Sequence, residues 1–277
     1  MATVPTLPGI TSKMIDTPRI KTHVLFSGPE DGIPVLFLHG NASSASYWEE
    51  IMLALPADYR GIAPDLRGYG DTEDKLIDAT RGTADWVDDL LGLLDALKIE
   101  KAHVAGHSMG GTLVFSLVAE APARVLSGTV VDPGSPYGFG GSKDLDGTPC
   151  YDDCAGSGGG VVNPDFPKLI AAGDRSSDNP QASPRVVMNS FYWKPPFAPA
   201  REEDLLTSLL TEKNRRREIP WRPAAIRQLA QRGARQVRPD QRHLTQIRGR
   251  FRQEIHRCQP QTAHAVGARR FGHDRFG

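Results

Sequence analysis

The residues best equipped for chemistry lie at Gly106-His107-Ser108-Met109-Gly110. A serine hydroxyl becomes a useful nucleophile only when its proton is taken and the negative charge it creates is met by donors. Both needs call for a sharp turn with the hydroxyl standing clear of it, and flanking glycines let the backbone make that turn. Here the run KAHVA (101–105) reads as a strand entering the turn, and MGGTLVFSLVAEAP (109–122) as an apolar helix leaving it, stopped by Pro122. That setting, more than the short motif itself, marks Ser108 as a nucleophile and Gly106 and Gly110 as the elbow. The N–H of Met109, at the helix start, would point toward a developing oxyanion. His107 reads as part of the elbow rather than as a base, because its side chain should leave the turn differently from that of Ser108. A second donor is required. His39-Gly40-Asn41 closes another apolar run, and the N–H of Asn41 is the candidate, with Gly40 permitting close approach. The competing reading there is a plain strand-to-loop turn.

These groups need a scaffold, and the remaining sequence describes one. RIKTHVLFS (19–27), IPVLFLHG (33–40), the start of YRGIAPDLRGYG (59–70), KAHVAGHS (101–108) and RVLSGTVVDPG (124–134) read as strands. Residues 46–55, 83–97 and 109–122 read as the helices between them. In the second of these, Trp86, Leu90, Leu93, Leu94 and Leu97 share one face with acids opposite. Apolar strands alternating with helices imply an α/β fold with a parallel sheet covered on both faces. Residues 134–182 show many Gly, Asp, Ser and Pro and suit the loops of an inserted lid. REEDLLTSLLTEK (201–213) reads as a short amphipathic helix. Phe191, Tyr192 and Trp193 either line a substrate pocket or pack the lid onto the core.

FLHGN (37–41), PDLRGYG (64–70), GHSMGG (106–111) and VVDPG (130–134) together resemble the α/β-hydrolase superfamily, in its branch of compact serine esterases and lactonases. The resemblance implies an α/β-hydrolase sheet with helices on both faces and a lid. Its implied chemistry is cleavage of a small-molecule ester or lactone through an acyl-enzyme, with Asn41 and Met109 supplying the oxyanion hole. A serine at the elbow argues against the haloalkane dehalogenase and epoxide hydrolase branches, whose nucleophile is a carboxylate. Amide or carbon–carbon bond hydrolysis by the same serine is the alternative activity, and an inactive or binding-only derivative is the alternative to an enzyme. No cofactor and no metal are expected.

The resemblance also implies a catalytic acid and a histidine after the lid, and there the chain departs from it. Residues 1–212 carry 16 basic and 29 acidic side chains, whereas residues 213–277 carry 17 and 4, so the net charge of zero describes neither part. The tail holds 16 Arg, eight Gln, two Leu and one Trp, and no long apolar run. Nucleic acid is not the expected partner, because no groove-reading helix or aromatic platform accompanies the arginines. Arg-rich, Lys-poor text is what GC-rich coding DNA yields out of frame. Permissible codons for residues 214–277, read one base later, give Pro/Gly/aromatic sequence and then an apolar run, PMLWVRG, followed by Ala-Ser-Asp, which resembles the acid-bearing strand of the superfamily. The organisation is therefore read as an N-terminal core part (1–134), a lid (135–212) and an anomalous tail (213–277) that replaces the end of the lid and core through a frameshift near codon 213. On that reading the chain as it stands is impaired.

Within the chain, Asp132 is the alternative acid, or else a strand cap in the Asp-Pro-Gly turn. His273, in Phe-Gly-His-Asp, copies a terminal histidine loop but lacks a strand to position it. Asp65 is read as holding its loop rather than catalysing. Cys150 and Cys154 sit in a Gly-rich loop with no further ligands nearby, and Cys258 is isolated. With no signal-like segment at the N-terminus and no long apolar stretch, a cytoplasmic location without membrane contact is expected. The sequence does not set the oligomeric state.

Overall fold

The computed structural model describes residues 3–78, 81–134 and 163–213. The calls on Cys150, Cys154, Cys258 and His273, and on most of the tail, lie outside these residues. Six strands form one sheet: β1 (Thr11–Asp16), β2 (Lys21–Ser27), β3 (Ile33–Leu38), β4 (Tyr59–Pro64), β5 (Ala102–His107) and β6 (Val125–Val131), in the order β1-β2-β4-β3-β5-β6.

The expected parallel sheet holds for β4, β3, β5 and β6. It fails at one side, where β1 pairs antiparallel to β2 and β2 antiparallel to β4. The cause is connection length. Parallel neighbours need a crossover of about a dozen residues, whereas residues 17–20 and 28–32 only reverse the chain. Lys21, His23 and Leu25 thus run opposite to the strands that end at the candidate site.

Each central strand is buried on both faces because its alternate residues feed two cores. Leu36 and Leu38 of β3 join Val104, Ile62 and the helices α2 (Ala84–Ala96) and α3 (Met109–Glu120), which contribute Val87, Leu90, Leu93, Leu94, Leu113, Val114 and Leu117. Val35 and Phe37 face the other way, toward Trp48 of the 3₁₀ turn Ala45–Trp48 and Met52 of α1 (Glu49–Leu53).

The acids of α2 do not all sit opposite its apolar face. Asp89 is buried and takes two hydrogen bonds from Arg67, at 2.7 and 2.8 Å, and one from Arg19 at 2.9 Å. A bidentate pair of this kind lets charge enter the interior, and it ties the loop after β4 to α2.

Beyond β6, α4 (Asp165–Ala172), α5 (Pro184–Phe191) and α6 (Glu202–Leu210) bury Phe166, Ile170, Met188, Leu205, Leu206 and Leu209 around Ala42. The segment read as loops therefore contains a helix, α4, and this cluster rests on the loop that follows β3. Among the described residues no helix is long and apolar enough to cross a membrane.

Candidate active site

Ser108 joins β5 to α3 with φ 54° and ψ −118°. A non-glycine residue held at positive φ is strained, and such strain persists only where the surroundings over-determine it. Two glycines show how. A Cβ on Gly106 would lie 2.2 Å from the carbonyl oxygen of Gly110, and one on Gly110 would lie 2.1 Å from that of Leu38. The turn therefore closes only with glycine at both positions. Ser108 itself is partly exposed, and its N–H donates to the carbonyl of Val131 at 3.0 Å. Its own carbonyl accepts from the N–H of Thr112 at 3.1 Å. Among the described residues no side chain hydrogen bonds its hydroxyl.

Met109 begins α3, so its N–H belongs to the first turn, whose donors have no partner within the helix. The loop after β3 approaches from the other side. A Cβ on Gly40 would stand 3.1 Å from the Cβ of Ser108, which puts Asn41 next to the residue that abuts the nucleophile.

That loop is held by a dense set of bonds. His39 is buried, with Nδ1 2.8 Å from the carbonyl of Gly40, while its Nε2 accepts from the N–H of Leu66 at 2.9 Å. These partners assign a neutral ring protonated on Nδ1, and burial lowers the imidazole pKa in the same sense. The Tyr69 hydroxyl donates to Asn41 Oδ1 at 2.6 Å. The Tyr192 hydroxyl donates to the carbonyls of Asn41 and Ala42 at 3.1 and 3.0 Å. Ala42 has φ 47°, a second strained non-glycine residue in the site.

Of the two readings of the aromatic trio, packing accounts for Tyr192. Its ring lies against Tyr47 and Trp193, and its hydroxyl pins the loop. Phe191 points outward and is 77% exposed. Tyr69, Tyr192 and Glu212 were not singled out for the site from sequence; the only signal was an aromatic set between two glycines in PDLRGYG. Glu212 lies beside both tyrosines, with Oε2 buried and without a hydrogen-bond partner among the described residues. Burial pushes its carboxyl up to about 7.

Asp65 is occupied. One oxygen accepts from the N–H of Ala45 at 2.8 Å, and the other from the N–H of Asp71 at 2.8 Å and faces His23 Nδ1 at 2.7 Å. Asp65, His23 and Asp71 come close enough together to hold a cation. Their oxygens and nitrogens are instead spent on these bonds and on Thr3. His23 Nε2 lies 2.8 Å from Ser12 Oγ, so a Ser–His–Asp connection exists here as well. Burial alone would lower the His23 pKa, yet the bond to Asp65 and its charge hold it above the ordinary value. A protonated ring donates to both partners, and Ser12 sits in an extended ladder opposite Leu25, with no helix N-terminus behind it. The trio braces β1, β2 and the loop after β4.

Asp132 ends β6 at φ 45° and is exposed. Its charge acts on His107, whose pKa is nonetheless lowered, chiefly by burial. No hydrogen bond between the two is formed.

Residues 33–147 match the family described as alpha/beta hydrolase fold. An uncharacterized carboxylesterase, nap, of Bacillus subtilis is 34% identical over 118 residues, which is 42% of this chain and 39% of that protein. Epoxide hydrolase 3 of Siraitia grosvenorii is 38% identical over 112 residues, 40% of this chain and 35% of that one. The crystal structure of carboxylesterase CesB (YbfK) from Bacillus subtilis superposes with a TM-score of 0.51 at 20% identity, covering 77% of this chain and 65% of that one, a likeness of fold. The matched part spans about two fifths of the length of the carboxylesterase relatives from Bacillus subtilis.

Proposed function

Because the chain belongs to the α/β-hydrolase superfamily, we propose that it is a serine hydrolase acting on carboxylic esters or lactones through an acyl-enzyme. The observation that carries this reading is the backbone of Ser108, whose φ of 54° and ψ of −118° set the residue at the N-terminus of α3 beside Gly40. A hydroxyl in that place favours acyl transfer over the carboxylate chemistry of epoxide opening, although an epoxide hydrolase is among the relatives.

In the proposed reaction a base takes the Ser108 proton and Oγ bonds to the substrate carbonyl carbon. The carbonyl oxygen, now an anion, accepts from the N–H groups of Met109 and Asn41. The tetrahedral adduct collapses as the leaving alcohol takes the proton, and water then releases the acid and returns the proton to Ser108. Asp132 is the candidate acid within the described residues and His273 the candidate base outside them. His39 and His23 are excluded from the base role because both ring nitrogens of each are engaged.

We further propose that the chain is read out of frame from about residue 213. The bare outer strand supports this, since Leu126 and Val131 of β6 are 50% and 47% exposed, and the tail offers no apolar strand to lie beside them. Sequencing the gene across codons 205–277 tests the shift. An in-frame trace encoding this tail, repeated in an independent clone, overturns it. Activity is tested with a short-chain nitrophenyl ester: turnover should be low in this chain, vanish in Ser108→Ala and rise by about 10³ or more when the frame is restored, because such residues act as a unit.

A further inference from the structure

β6 is the last strand of the sheet among the described residues and has the sequence Val125-Leu126-Ser127-Gly128-Thr129-Val130-Val131. It contains no charge and no proline, the usual devices that stop an edge from pairing. Apart from Val125 the strand is exposed, and so are Phe115 and Val118 of the neighbouring α3, at 37% and 39%. The sequence of β6 is also nearly its own mirror. Written against itself antiparallel about Gly128, it sets Ser127 opposite Thr129, Leu126 opposite Val130 and Val125 opposite Val131. Every pair matches in kind, apolar with apolar and hydroxyl with hydroxyl, which are the favourable cross-strand combinations.

We propose that β6 is the interface for a second copy of this chain, the two strands pairing antiparallel about a two-fold axis through Gly128 to make one continuous sheet. The inference rests on the fold and not on the reaction proposed above.

The geometry of the helices agrees. A two-fold axis through an antiparallel strand pair stands perpendicular to the sheet, so both copies of α3 lie on the same face. Gly128 meets that face, since a Cβ there would lie 2.9 Å from Val114 Cγ1 and 3.8 Å from Val118 Cγ2. If α3 sits over the space between β5 and β6, the two helices are separated by two strand spacings, about 10 Å. Packed helices stand about 8–10 Å apart, so Val118 and Phe115 of each copy close over the joined strands without a gap. One irregularity has to be met: the β5–β6 register slips between Ala102 and His103, making Leu126 an extra residue. The regular part of β6, Ser127–Val131, still contains the three central pairs.

The area is adequate. Seven strand residues and the outer face of a twelve-residue helix give roughly fifteen residues a side, at the lower end of what a stable interface of about 1,200 Å² in total requires. Each copy has a net charge of zero, so no long-range repulsion opposes the approach. Residues 214–277, with 16 Arg and two Leu, are a poor alternative cover for an apolar edge.

Sedimentation of the full chain tests the proposal. A single species of twice the chain mass is expected, and Val130→Lys, which buries a charge beside Leu126 of the partner copy, should weaken association at least 100-fold. Register is tested by disulfide formation, with the three native cysteines replaced by serine. Mixing Ser127→Cys chains with Thr129→Cys chains should give a cross-linked dimer, whereas either alone should not, because its cysteines lie beyond the reach of about 7 Å that a disulfide spans. A monomer throughout, assemblies that grow past two copies, or equal cross-linking in the unmixed samples would overturn the proposal. The cross-linking result stands even where Val130→Lys fails to fold.

Discussion

The Tyr69 hydroxyl donates to the side-chain oxygen of Asn41 at 2.6 Å, and that bond joins the loop after β4 to the loop that carries a proposed oxyanion donor. Tyr192 grips the same residue from α5's end through its main-chain oxygen. A donor aimed at a transient charge is effective only if it does not have to reorganise when the charge appears. The two tyrosines fix Asn41 without touching Ser108.

Tyr69→Phe should therefore leave the fold intact while slowing the reaction of Ser108. The lost bond is worth roughly 1 kcal/mol, so a fall of about fivefold to tenfold in the rate of covalent labelling is expected, with unchanged circular dichroism. An unaltered rate would mean that Asn41 does not depend on this contact.

Arg67 and Asp89 form the innermost ion pair, with side chains 9% exposed on each partner. Removing one partner strands a buried charge, so Arg67→Ala should destabilise the fold by about 3–5 kcal/mol in denaturant titration. Replacing both with apolar residues should cost much less. A loss under about 1 kcal/mol for Arg67→Ala would show that Arg19, bound to the same carboxylate, compensates.

Glu212 gives the fold a pH dependence of definite sign. Its folded pKa, about 7, lies above the ordinary 4.5 because burial disfavours the anion. The folded chain thus holds a proton that the unfolded chain releases, and stability contributed below pH 4.5 is lost as pH rises through 7. Glu212→Gln should remove this dependence, with a difference from the parent on the order of 3 kcal/mol between pH 4 and pH 8. Parallel melting curves for the two proteins across that range would refute it.

The elbow was legible in the sequence because its requirement is local: glycines two residues either side of Ser108, a strand before and a helix after. The same holds for the loop at Gly40 and for the idle role of Asp65. What was not legible depends on partners distant in the chain. Antiparallel β1 and β2 follow from the shortness of two connections rather than from strand pattern. Asp89 looked like a solvent-facing acid because its partners, Arg67 and Arg19, lie 22 and 70 residues away. Tyr69 and Tyr192 look like core aromatics until Asn41 is seen between them, and Glu212 looked like the polar end of an amphipathic helix.

Reaction with a fluorophosphonate, followed by mass spectrometry of the modified peptide, tests the central claim most directly. A single phosphonyl adduct on Ser108, absent in Ser108→Ala and formed slowly in the present chain, is the expected result. An adduct on another residue, or identical behaviour of the parent and Ser108→Ala, would contradict the assignment of Ser108 as the nucleophile.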